Sequence, residues 1–123
     1  MERVLGLGGL FLKASDPTAL AAWYRDVLGV PIDDGQTYGT FTAAAGEQTV
    51  WSAFPHDSDY FGSPAPFMVN YRVADLDAML TQLRAAGADV DDRVEDYPYG
   101  RFGWATDPEG NRFELWQPAG PGF

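Results

Sequence analysis

The chain has 123 residues, enough for one domain with its own hydrophobic core. It is 46% hydrophobic and 15% aromatic, which excludes intrinsic disorder, and its 18 acids against 8 bases leave a net charge of −10. That surface repels phosphate backbones and anionic lipid, so neither nucleic acid nor a membrane surface is an expected partner. With no cysteine, thiol catalysis, disulfides and cysteine-based zinc sites are excluded.

The opening residues, "MERVLGLGGLFLKASDP", are apolar but interrupted by Lys13. They are too short to span a membrane and lack a small-residue cleavage pattern, so a cytoplasmic protein is expected. Residues 5–12 read as a strand. Ser15 or Asp16 then offers an N-cap and Pro17 suits a first helical position. Leu20, Trp23, Tyr24, Val27 and Leu28 follow at helical spacing and stop at Gly29. Such a stripe is ordinary core packing. Two β-like pieces follow, "TYGTFTA" (37–43) and "TVWSAF" (49–54), and then "PHDSDYFGSPAP" (55–66), whose three prolines mark a linker.

The same grammar then repeats. "FMVNYRV" (67–73) alternates like a strand, Asp75 offers an N-cap, and Leu76, Met79, Leu80 and Leu83 form a helical stripe ending at Gly87. The acidic run from Asp89 to Asp96 reads as a solvated loop. "RFGWAT" (101–106) and "NRFELWQ" (111–117) are again strand-like. Laid on the first half, Asp75 falls on Asp16, Gly87 on Gly29, Asp91-Asp92 on Asp33-Asp34, and "YGRF" (99–102) on "YGTF" (38–41). The expected architecture is therefore α+β, a βαβββ module used twice. Module one covers 1–54, the linker 55–66, module two 67–118, and a C-terminal tail 119–123.

Strand alternation puts Arg112, Glu114 and Trp116 on one face of the last strand, and Phe113 and Leu115 on the other. The Phe/Leu face should meet a helix. The Glu114 face should then meet a cavity, together with Met68, Asn70 and Arg72 from one opening strand and Gly9, Phe11 and Lys13 from the other. Apolar walls with sparse polar handles are typical of small-molecule sites. Glu114 either contacts a ligand there or forms an ion pair with Arg72 or Arg112. On the ligand reading, Glu114→Gln should weaken binding while leaving stability nearly intact.

The paired grammar, with "YRVADLDAMLTQLRAAG" and the closing "YGRFGWATDPEGNRFELWQP", resembles the vicinal oxygen chelate superfamily of glyoxalases, bleomycin resistance proteins and extradiol dioxygenases. The resemblance covers nearly the whole chain. It implies curved sheets enclosing a cavity, a homodimer, and metal ligands on the first and last strands of each module. Those positions correspond to Gly9, Val50 or Trp51, Met68 and Glu114. Glycine and valine cannot coordinate, and a thioether suits hard divalent ions poorly, so no metal and no other cofactor is expected. His56, the sole histidine, with Asp57, Asp59 and Glu114, is the alternative divalent-metal constellation.

The resemblance then implies a metal-independent, bleomycin-resistance-like binding protein. It would hold a planar or cationic small molecule, an antibiotic for example, at Glu114, Met68, Asn70, Arg72 and Phe11, stacked on Trp51, Trp104 or Trp116. The alternative is a lyase, isomerase or dioxygenase-type enzyme of the same superfamily, metal-dependent or using Glu114 as general base. A purely structural dimer module is the third reading.

Overall fold

The structure is a computed structural model and describes residues 1–3 and 5–120. Val4 and the end of the expected tail, 121–123, lie outside the described residues. Chain order gives helix α1 (Pro17–Trp23), a π-helical turn Tyr24–Leu28, strand β1 (Val69–Arg72), helix α2 (Leu76–Ala85), and strands β2 (Asp89–Val90), β3 (Glu95–Tyr97), β4 (Gly100–Thr106) and β5 (Arg112–Pro118).

Both helices begin where the caps predict. The Asp16 side chain accepts from the Ala19 amide and the Asp75 side chain from the Ala78 amide, each at 3.0 Å. The Leu76 amide, a further orphan donor at the start of α2, is satisfied by Gln117 Oε1 at 2.8 Å. The helix ends at Gly87, where the Ala88 amide returns to the Leu83 carbonyl.

The sheet order is β1-β5-β4-β2, with β3 also on β4. β1 and β5 run parallel, with α2, β2, β3 and β4 between them in the chain, and the remaining pairs are antiparallel. Leu76, Leu80 and Leu83 of α2 pack on Ala105, Phe113 and Leu115, all nearly inaccessible to solvent. This βαβββ unit is α+β, and its helix covers one face of an open sheet. The acidic run 89–96 is partly ordered into β2 and β3, because β4 is long enough to pair with both. Asp91 is there half-buried as the ion-pair partner of Arg112.

The first half departs from the expected pattern. Its helix is present and packs Trp23, Val27 and Leu28 against the same core. Residues 5–12, 37–43 and 49–54 form no strand among the described residues; a single bridge, Ile32 to Gly39, is all the pairing there. Leu5, Phe11, Phe41, Val50 and Trp51 are largely exposed. The physical reason is that a strand needs a ladder partner, and these apolar segments find none among the described residues.

The loop "DPEGN" ties the halves together. Asp107, 4% exposed, accepts from Tyr24 Oη (2.7 Å), the amides of Glu109 and Asn111, and Asn111 Nδ2. Glu109 accepts from the amides of Ser15 and Asp16, just ahead of α1. These donors hold its carboxyl below the ordinary carboxylate range. No helix among the described residues is long and apolar enough to cross a membrane.

Candidate functional site

The sheet face turned away from α2 is built from two cross-strand rows. Pairing register sets Asn70 beside Glu114 and Glu114 beside Trp104. The next row runs Arg72, Trp116, Phe102 and Glu95. Because side chains alternate across a strand, each row projects to this one face, while Phe113, Leu115 and Ala105 point to the helix.

Glu114 is 6% exposed, and the three described donors to it are all neutral. Oε1 accepts from Asn70 Nδ2 at 2.7 Å. Oε2 accepts from Tyr60 Oη at 2.6 Å and from Trp104 Nε1 at 3.0 Å. A carboxylate offers about four acceptor directions, and donors among the described residues fill three of them. Burial, then the hydrogen bond to Glu114, push the Tyr60 phenol well above the usual tyrosine range, so it stays a proton donor at ordinary pH.

Of the two alternatives for Glu114, the ion pair with Arg72 or Arg112 is not found among the described residues. Arg112 is committed to Asp91 through two bonds of 2.7 and 2.6 Å. Arg72 lies 4.8 Å over the Trp116 ring and donates to the Gln48 carbonyl. Arg93, which no sequence pattern flags, sits 4.4 Å over Trp104. Both indoles thus already carry a guanidinium on one face, an arrangement that favours attraction to the ring quadrupole.

Around the carboxylate the surface is aromatic. Phe102 and Trp116 are stacked at 6.1 Å with planes 4° apart, and Tyr60 stands edge-on to Trp104 at 6.2 Å. Met68 packs on the same cluster. Of the sequence-derived site residues, Glu114, Trp116, Met68, Asn70, Trp104 and Arg72 are brought together here. Phe11 and Trp51 are not part of the cluster: they are 95% and 79% exposed, on the segments that lack strand partners. Phe102 could have been found from its alternation with Trp104. Tyr60 reaches Glu114 from the linker, where Tyr60 and Phe61, as aromatic residues, are candidates from the sequence for a dimer contact or a lid over the cavity.

The three side chains bonded to Glu114 turn an amide N–H, an indole N–H and a phenol O–H toward it, as donors, and not the converging lone pairs that a divalent metal takes. Among the described residues no cluster of three or more His, Cys, Asp or Glu side chains is placed to hold one. His56 is exposed. Two surface depressions lie elsewhere, of about 210 Å³ against Leu5, Leu7 and Trp51 and about 260 Å³ beside Trp23 and Asp107. The first offers little polar chemistry, and the Asp107 carboxylate in the second is already filled by its four donors.

Residues 9–116 match a family model described as a glyoxalase-like domain. No curated protein matches the chain. Among solved structures, TnmS3, an antibiotic binding protein from Streptomyces sp. CB03234, is 23% identical over 96% of this chain and 100% of its own, with a TM-score of 0.57. Lactoylglutathione lyase from Agrobacterium tumefaciens is 19% identical over 94% and 96%, TM-score 0.55. TioX from Micromonospora sp. ML1 is 21% identical over 85% and 91%, TM-score 0.50. At these identities the likeness is one of fold.

Proposed function

Since the chain belongs to the glyoxalase-like domain family, we propose that it is a cytoplasmic, metal-independent binding protein for a small planar or cationic organic molecule. The ligand lies on the face formed by Glu114, Trp104, Trp116, Phe102 and Met68. The observation that carries this reading is a nearly buried carboxylate held by three neutral donors inside an aromatic surround. Such a group costs desolvation that burial of Phe or Leu would avoid, so its presence favours a polar partner. Aromatic walls supply the area for a flat molecule and Glu114 supplies orientation. Sequestration of an antibiotic is the use we propose; among the fold neighbours, TnmS3 is described as an antibiotic binding protein.

The working unit in this proposal is a homodimer. β1 pairs only with β5 among the described residues, and the first half is rich in exposed apolar side chains. A second copy would cover both. Titration of the protein with planar aromatic cations, followed by tryptophan fluorescence in the presence of EDTA, tests the ligand reading. Saturable quenching that EDTA leaves intact is expected; a requirement for added Ni²⁺, Zn²⁺, Mn²⁺ or Fe²⁺ would overturn it.

A further inference from the structure

The segment joining the two halves lies across the Glu114 face as a strap. Its backbone hydrogen bonds run within the segment: Ser58 to Pro55, Tyr60 to Ser58 Oγ, and Gly62 to Asp59. It is fastened to β5 at two inward positions two residues apart. Tyr60 Oη binds Glu114, and Gly62 lies against the Arg112 guanidinium, so close that a Cβ there would sit 2.8 Å from Arg112 Nε. Gly62 also has φ +62°, a conformation that favours glycine. No ladder holds the strap to the sheet, so it can lift without breaking strand pairing.

What the strap inserts is a phenol. The Tyr60 ring is stacked on Phe54 at 5.4 Å, edge-on to Trp104, and its hydroxyl takes the Glu114 oxygen that faces the aromatic cluster. Phe54 itself is 45% exposed and braced by Phe61. The chain's own side chain therefore displays the chemistry this slot satisfies: a flat ring carrying one O–H donor.

We infer that Tyr60 is an internal placeholder and that the slot between Phe54, Trp104 and Glu114 takes the phenolic end of an aromatic ligand when the strap lifts. This rests on the ligand-binding reading above and narrows it to aryl alcohols. The Glu114 carboxylate selects for the hydroxyl, because a ring without it leaves a buried acceptor short of a donor. Tyr60 sets the threshold, since an incoming phenol must match the bond it displaces.

The test uses the full chain, its Tyr60→Ala and Tyr60→Phe variants, and two probes: 4-methylphenol, the analogue of a whole tyrosine side chain, and toluene, which lacks the hydroxyl. Binding is read from the Trp104 indole N–H resonance and from the melting temperature. Tyr60→Ala should bind 4-methylphenol about tenfold or more tightly than toluene. Tyr60→Phe, which keeps the ring and drops only the hydrogen bond, should bind 4-methylphenol more tightly than the parent chain does. If aromatics bind all three proteins alike whatever their hydroxyl, the placeholder is overturned while the aromatic-face reading stands. If 4-methylphenol enters only Tyr60→Ala, and Tyr60→Phe matches the parent, Tyr60 is a fixed anchor and the inference is likewise overturned.

Discussion

The Tyr24 hydroxyl donates to Asp107 Oδ2 at 2.7 Å, a buried bond that joins the first helix to the closing loop of the sheet. Tyr24→Phe removes one of four donors to a carboxylate that is 4% exposed, and should cost about 1–3 kcal/mol in urea unfolding. Burial, the neighbouring Tyr71 and the Asp107 carboxylate push the Tyr24 phenol far above its ordinary 10.0. The folded chain therefore keeps a proton that the unfolded chain releases. That contribution is complete below pH 10 and is lost as pH rises beyond it. The variant should show a shallower alkaline decline than the parent, measured from pH 8 to 11.

Asp91 and Arg112 give the opposite limb. The bond to Arg112 holds the Asp91 carboxyl below its ordinary 3.8, so its contribution is present above that value and is lost as pH falls through the lowered one. Asp91→Asn should cost about 1–2 kcal/mol at neutral pH, between an exposed and a buried pair, and flatten the acid limb of the stability curve.

Glu114→Gln should weaken ligand binding by about one to two orders of magnitude. It should also lower stability by about 1–3 kcal/mol, contrary to the expectation from sequence, because one carboxylate oxygen becomes an NH2 group set against a donor, either Asn70 or the Tyr60–Trp104 pair. Fluorescence titration and thermal melting measure the two effects separately.

Gly100→Ala should be among the more damaging single changes, about 1–3 kcal/mol by chemical denaturation. Its φ is +145°, and an added Cβ would lie 2.3 Å from Trp116 Nε1 and 2.4 Å from the Gln117 carbonyl. The clash would displace Trp116 from its bond to the Tyr99 carbonyl, so tryptophan emission should shift with the loss of stability.

Sedimentation at micromolar concentration should find the homodimer. Trp51→Asp and Phe11→Asp place charges on residues 79% and 95% exposed within the chain, so they should leave the monomer fold intact and drive the dimer apart. A parent chain that sediments as a monomer throughout would remove the dimer from the proposal.

Much of this protein is written locally. Asp16 and Asp75 cap their helices, the leucine stripe of α2 meets Phe113 and Leu115, and alternation along β5 alone places Glu114 and Trp116 on the opposite face. Each depends on neighbours a few residues away, which is why periodicity and capping chemistry reveal them. The strands read in residues 5–12, 37–43 and 49–54 have the right residues, but pairing is a long-range event that composition cannot supply. The sequence placed Asn70 and Trp104 in the same site as Glu114, but their bonds to it, and that of Tyr60, were not legible for the same reason. Asn70 is 44 positions away and Tyr60 is 54, while Arg72 and Arg112, equally plausible from the sequence, are engaged elsewhere. Strand register brings Asn70 and Trp104 to the carboxylate, and the course of the linker brings Tyr60; only the tertiary structure decides both.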